Sequence, residues 1–334
     1  VSLIKEANEC SHKHGGKMKI VILESLGISD SEFSAISQPL KDSGHDLTVY
    51  KDGNSDIATL KSRVKDAEIL VLANMPLSAE VIDAAEKLKY ISVAFTGYDH
   101  IDLDKCKEKG IQVSNAAGYS TNSVAELTFG LIIALLRNVV ALEKKLREGG
   151  TKQGYRQIDL KGKTVGILGT GDIGSAVAEL ALAFGCKVIA YNRSEKSALI
   201  NKGVAYQSLD EVLQASDIVT IHMPLTADTK GLIDQSKLAL MKNSAFLINT
   251  AVGPIVDNAA LAEALHNGTI AGAGLDRVDM EPPVPADYPI LSAPNTVLVP
   301  HIGFATEEAM TRRAQITVNN IRKWEQGEQE NIVL

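Results

Sequence analysis

The chain has 334 residues, 45% apolar and 22% charged, with a formal net charge of -7. That length can build two domains with sizeable cores, and a mildly acidic balance argues against nucleic acid or a membrane surface as partner, since both need a basic face. Cys10, Cys106 and Cys186 stand apart from one another, which suggests neither a disulfide framework nor a metal site and reads as reduced thiols in a cytoplasmic protein.

Residues 1–17, "VSLIKEANECSHKHGGK", are polar and lack a signal-peptide core, so a disordered extension is expected there. His12 and His14 read as part of that tail rather than as a metal site. From Met18 onward, "KIVILE", "DLTVY", "EILVLA", "YISVAF" and "IQVSN" are short strand signals separated by amphipathic stretches such as "SAEVIDAAEKL". Apolar strands alternating with helices predict a parallel sheet covered on both faces.

One long helix is expected next, capped by Ser120 or Thr121 and stopped by Gly149–Gly150. Its apolar run "VAELTFGLIIALL" is short and carries Glu126 and Thr128, so it reads as buried rather than membrane-spanning. Such a helix can bridge two domains or two subunits. A second alternating block follows, with six strand signals: "TVGILG", "KVIAYN", "DIVTIHM", "AFLINT", "IAGAGLD" and "TVLVPH". These predict a doubly wound nucleotide-binding domain. A last helix, from about Thr306 to Gln326, can return to the first block. The fold class is thus α/β, with two doubly wound parallel-sheet domains. The expected boundaries are 18–118 with 302–334 for one domain and 119–301 for the other.

"GILGTGDIGSAVAEL" carries Gly169, Gly171 and Gly174 as GxGxxG. The motif is weak alone, but here it follows a strand and opens a helix, as dinucleotide binding requires. The first glycine permits the tight turn, the second lets amides approach a pyrophosphate, and the third lets the helix pack closely. At the end of the next strand, Asn192 stands eighteen residues after Gly174. An acid there would bind a ribose hydroxyl and repel a 2′-phosphate. Asn192, Arg193 and Ser194 offer neutral donors and a cation instead, which favours NADP(H) over NAD(H). The bland alternative is that Arg193 is a solvated arginine.

His222 and Pro224 in "TIHMPLT" and His301 in "LVPHIG" fall at carboxyl ends of strands, where open α/β sheets bind ligands. Glu281, in "LDRVDMEPP", is a candidate partner for His301. A carboxylate bonded to one imidazole nitrogen would leave the other to give or take a proton. Hydride transfer to a carbonyl needs such a group.

The pieces "FTGYDHID", "GYSTNSVAELT", "GTGDIG", "HMPLT", "LINTAVGPIVD", "GAGLD", "MEP" and "PHIG", in this order and spacing, resemble the D-isomer-specific 2-hydroxyacid dehydrogenases over nearly the whole chain after Met18. The resemblance implies a flavodoxin-like substrate domain built from both chain ends and a Rossmann-type NAD(P) domain between. It also implies a homodimer formed largely through the nucleotide-binding domains. It matches His301 to the acid/base, Glu281 to its carboxylate partner and Asp276 to an acid near the nicotinamide amide. Gly97 and Tyr98 match backbone that receives the substrate carboxylate. Thr250, Ala251 and Val252 match the nicotinamide side. The cofactor-binding candidates are completed by Thr170, Asp172, Ile173, Thr229 and Gly303. Asn74, Met75, Thr96 and Tyr119 are expected to shape the substrate pocket.

One position departs from the family pattern, which reads Asn-Thr-Ala-Arg-Gly where this chain has Asn249, Thr250, Ala251, Val252 and Gly253. The arginine would bind the substrate carboxylate, and a valine cannot. Arg277 stands where the pattern more often has valine, so the cation is either relocated there or missing. The leading expectation is a reductase of small 2-oxo acids that gives the D-alcohol. The alternative is a catalytically weak dinucleotide-binding sensor or assembly protein.

Overall fold

A computed structural model describes residues 16–280 and 283–334. The expected tail up to residue 15, with Cys10, His12 and His14, therefore lies outside the described residues, as does Glu281. The chain divides into two compact units, one running up to Ser120 and resuming at Thr306–Leu334, the other Thr121–Ala305.

The first unit holds β1 (Lys19–Ile22), β2 (Asp46–Val49), β3 (Ile69–Leu72), β4 (Tyr90–Val93) and β5 (Gln112–Ser114). They form one parallel sheet in the order β2-β1-β3-β4-β5, which is the flavodoxin-like order. β3 and β4 are buried along their whole length, as strands covered on both faces must be. The final helix, Glu307–Glu325, packs Ala314, Val318, Ile321 and Trp324 into this unit's core. Trp324 stacks on Tyr90 with ring centroids 4.8 Å apart.

That helix ends on a buried acid–imidazole contact. His45 Nδ1 accepts the Met18 N–H at 3.1 Å, and His45 Nε2 lies 2.5 Å from Glu325 Oε1. With Nδ1 occupied by a donor, the imidazole stays neutral, and burial pushes its pKa down although Glu68 opposes this. Burial pushes the Glu325 carboxyl up to about 7, against the pull of Arg322. A raised carboxyl makes the folded state bind its proton more tightly than the unfolded chain. Its stabilising contribution is complete below the ordinary carboxylate range and is lost as pH rises through about 7. Glu325→Gln is expected to match the parent near pH 4 and to exceed it by up to about 3 kcal/mol near pH 8. Urea unfolding at both pH values measures the difference, and a difference that does not change with pH would refute the raised carboxyl.

The second unit holds β6 (Thr164–Leu168), β7 (Lys187–Tyr191), β8 (Ala205–Tyr206), β9 (Ile218–Ile221), β10 (Phe246–Asn249), β11 (Gly272–Leu275) and β12 (Thr296–Leu298). All pair in parallel, in the order β12-β11-β10-β9-β6-β7-β8. The order reverses between β6 and β9, which makes that edge the topological switch point. β8, two residues long, is the strand that sequence reading misses. Alternate side chains feed two cores: Val219, Ile221 and Leu247 enter one, and Ile218, Phe246 and Ile248 the other. Each such side chain contributes roughly 1.5–3 kcal/mol when fully buried.

The expected single long helix is two helices, Thr121–Leu136 and Val139–Arg147, bent by 56°. Asn138 breaks it in a left-handed conformation (φ 50°), its side chain donating to the Arg156 carbonyl at 2.8 Å. The Leu136 carbonyl is taken by the Ile158 N–H instead of continuing the helical ladder. Among the described residues no single helix is long and apolar enough to cross a membrane; the bent pair passes only by length and composition. Most of the first helix is buried, and Gly274 lets it approach β11: a Cβ there would stand 3.1 Å from Leu131 Cβ.

Candidate active site

In the second unit, the three glycines of the turn after β6 are explained one by one. Gly169 has φ +93°, and a Cβ there would stand 2.8 Å from the His222 carbonyl oxygen. At Gly174 a Cβ would stand 1.9 Å from the Gly169 carbonyl oxygen, so helix Asp172–Ala183 can lie against the turn only with glycine there. Gly171 faces open space and caps that helix with no side-chain hydrogen bond. Open room before unsatisfied N–H groups at a positive helix end fits the pyrophosphate of a dinucleotide. Asp172 is exposed in the first turn, and Ile173 packs on the core.

The turn is tied to the end of β7. Buried Thr170 donates its N–H to Asn192 Oδ1 at 3.3 Å and accepts from the Tyr206 hydroxyl at 3.0 Å. Asn192 Nδ2 donates to the Ser194 carbonyl at 2.7 Å. Asn192 therefore works as a brace. Arg193 and Ser194 are exposed. Lys196, which sequence reading passed over, reaches Ser175 Oγ at 3.2 Å, and Ser175 in turn donates to the Gly171 carbonyl at 2.6 Å. Its only signal was a second cation four residues after Asn192.

His222 follows β9. Both its ring nitrogens are shielded from solvent and have no hydrogen-bond partner, and burial holds the imidazole down at about 3, so it is neutral. Thr229 Oγ1 donates to the Pro224 carbonyl at 2.7 Å and accepts the Thr226 N–H at 2.8 Å, which shapes the loop after it.

The turn after β10 is held by Asn249, which accepts the Ala251 N–H at 3.0 Å and donates to the Val252 carbonyl at 3.2 Å. Thr250 lies 2.8 Å from Thr128 Oγ1. Thr128 gives its proton to the Val124 carbonyl, so Thr250 is the donor between them. Val252 is extended (φ −122°, ψ 129°) and half-buried, and packs with Ala251, Val278 and Tyr288 on the core that holds Leu247 and Leu275. A Cβ at Gly253 would stand 1.7 Å from the Val278 carbonyl oxygen, so the backbone after β11 runs directly over this turn. Asp257 caps helix Asn258–His266 through two N–H groups at 3.0 Å.

Asp276, the residue directly after β11, is 2% exposed. Its carboxylate accepts the Ile302 N–H at 2.7 Å and the Gly303 N–H at 3.0 Å, and its carbonyl accepts the His301 N–H at 2.8 Å. Burial pushes this carboxyl up, while the two N–H groups, His301 and Arg277 pull it down. His301 sits in the left-handed region (φ 56°), its ring edge-on to Phe304 with centroids 4.8 Å apart. The glycine turn, the Thr250–Val252 turn, Asp276 and His301 all belong to the carboxyl edge of one sheet. Arg277 is half-buried beside Asp276.

In the first unit, Gly97 and Tyr98 follow β4. The Tyr98 carbonyl accepts the Ile101 N–H at 3.1 Å, and Leu77 bridges to Ile101. Asn115 holds the Thr96 carbonyl at 2.8 Å, and Glu24 accepts the Ala73 and Met75 N–H groups at 2.8 Å each. Asn74 and Thr96 are exposed, but Met75 and Tyr119 are buried in the unit's interior, at 5% and 1% exposure. Tyr119 packs against Phe95 and under Arg313.

The family model for the NAD binding domain of D-isomer specific 2-hydroxyacid dehydrogenases matches residues 129–303. The chain is 33% identical to a hydroxypyruvate reductase of Blautia hydrogenotrophica, over 95% of this chain and 99% of that one. It is 42% identical to a glyoxylate reductase of Thermofilum pendens, over 78% of each. Among solved structures, an acyclic imino acid reductase in complex with NADPH and D-Arg superposes with a TM-score of 0.85 at 31% identity, covering 95% of this chain and all of that one. With a dinucleotide turn fitted residue by residue and a histidine at the same sheet edge, these likenesses establish that the chain belongs to the D-isomer specific 2-hydroxyacid dehydrogenase family and is an NAD(P)-dependent oxidoreductase.

Proposed function

We propose that this enzyme reduces the keto group of a small 2-oxo acid to the D-alcohol, with NADPH preferred over NADH. The observation that carries the reading is His301, presented from the same sheet edge as the glycine turn by three hydrogen bonds to Asp276. When bound, the cofactor supplies the hydride. The protein's task is to give a proton to the carbonyl oxygen, which His301 can do, and Glu281 is proposed as the carboxylate that orients it. The Gly97–Tyr98 backbone is proposed to receive the substrate carboxylate. Glyoxylate and hydroxypyruvate are the first substrates to try, because the relatives named above reduce them. Measuring the oxidation of NADPH and of NADH against a panel of 2-oxo acids, with carbonyls lacking a carboxylate included, tests the reading. Turnover of none of them would leave the sensor or assembly role, the reading that Val252 favours.

The cofactor preference rests on exposed Arg193 and on Lys196 behind it, with no acid at Asn192. Arg193→Ala is expected to weaken NADPH binding by about 1–3 kcal/mol and to leave NADH nearly unchanged, as for a charge-assisted contact to a 2′-phosphate. Fluorescence titration with both nucleotides reads this; equal losses would reject it. A homodimer through the second unit is proposed from Ile133, Val139, Val140 and Leu146, large apolar side chains exposed on its bent helix pair at 38%, 50%, 55% and 73%. Sedimentation equilibrium would show a monomer if the idea is wrong. A cytoplasmic location is proposed from the buried free thiols Cys106 and Cys186, and cell fractionation would test it.

A further inference from the structure

We propose that Asp276 is a positioning residue that acts through His301, its carboxylate clamping the Ile302 and Gly303 N–H groups so that the backbone turn presents the imidazole. The inference rests on the reading of His301 as proton donor and adds what holds it in place. His301 occupies a left-handed conformation (φ 56°), which costs a non-glycine residue free energy and persists only where the surroundings enforce it. Asp276 supplies much of the enforcement, alongside the Val299 carbonyl, which also accepts the His301 N–H at 3.1 Å. Oδ1 takes the Ile302 N–H at 2.7 Å, Oδ2 the Gly303 N–H at 3.0 Å, and the Asp276 carbonyl the His301 N–H at 2.8 Å. Asp276 is itself anchored, since its N–H bonds the Asn249 carbonyl at 2.9 Å.

Both carboxylate oxygens accept an N–H. A carboxamide would keep one acceptor and point an N–H at another N–H. The clamp also explains Gly303, where a Cβ would stand 2.7 Å from Asp276 Oδ2. Asp276 and Gly303 are thus two sides of one device, and damage to either should release the same turn. A contact to the nicotinamide amide, the role that the family resemblance suggests for this acid, would behave differently. Its loss would weaken cofactor binding and would be independent of His301.

The test uses Asp276→Asn and Gly303→Ala in the full-length enzyme, with circular dichroism to establish folding. Both are expected to lower kcat at least about tenfold and to leave the NADPH dissociation constant within about twofold. Asp276→Asn in a His301→Ala background is expected to cost nothing further, because the group it positions is gone. Hydrogen exchange read by mass spectrometry over residues 299–305 is expected to quicken in both single variants. Unchanged exchange there would overturn the clamp. So would a rise in the NADPH dissociation constant as large as the fall in kcat, or additive losses in the double variant. If His301→Ala keeps full turnover, the proton-donor reading fails, and the exchange measurement still decides whether the clamp exists.

Discussion

His301→Ala is expected to lower the reduction of 2-oxo acids about a hundredfold or more while leaving NADPH affinity close to the parent's. A positioned acid contributes about that much when the carbonyl oxygen becomes an alkoxide in the transition state. Cofactor affinity should survive because the contacts that fit a dinucleotide lie elsewhere. Gly171 and the N-terminus of helix Asp172–Ala183 suit the pyrophosphate, and Arg193 and Lys196 suit the adenosine end. The fold should survive too, because the His301 N–H, and not its ring, makes the bonds to Asp276 and Val299 that shape the turn. Alanine also tolerates the left-handed region poorly, so His301→Asn, which adopts it more readily, serves as the control. Both variants should lose turnover alike. Steady-state kinetics with a separate binding titration measures the two effects, and undiminished turnover in either variant would remove His301 from the mechanism.

The second large effect is expected at Val252 and Arg277. Val252 packs against the core that contains Leu275. Arg277 lies two residues beyond the end of β11, outside the regular strand, and is half-buried beside Asp276. A cation relocated from the Val252 position to Arg277 is the reading to be tested. Arg277→Val is then expected to cost about 2–5 kcal/mol in kcat/KM for glyoxylate or pyruvate, the loss typical of unpairing a desolvated carboxylate. Val252→Arg alone would set two cations side by side and should not help. The double variant, with the cation returned to the position where the family pattern has it, should recover part of the loss. A coupling of about 1–3 kcal/mol between the sites would be the signature. If the two changes add independently, and Val252→Arg alone raises turnover, then Arg277 is structural and the parent handles its substrate through the Gly97–Tyr98 backbone and neutral side chains.

Much of the architecture was legible because it follows from local pattern. Buried parallel strands announce themselves as short apolar runs such as "ILVL" and "IVTI", and the glycine turn is a steric requirement written in three residues. β8 was not legible, because two residues carry no period. The break at Asn138 was hidden because the competing bonds come from Arg156 and Ile158, about twenty residues away. Met75 and Tyr119 looked like loop residues and are buried, since burial depends on what packs above them, which local pattern cannot show.

By itself, then, the amino-acid order determined the α/β class, the two parallel sheets, the glycine turn and the candidacy of His301, because each depends on neighbours within a few residues. The tertiary structure alone decided what Asp276 does. Its partners Ile302 and Gly303 are 26 and 27 residues distant, and they reach it only because β12 pairs alongside β11. The same holds for Val252, which packs on a core whose members, such as Leu247, Leu261 and Leu275, come from different elements. A valine in an expected cationic position reads as a defect along the chain and as a packed side chain in the fold. The physical reason is common to both cases. Hydrogen bonds and buried contacts are short-ranged in space, so groups far apart in the chain act on one another only after the sheet has brought their strands together.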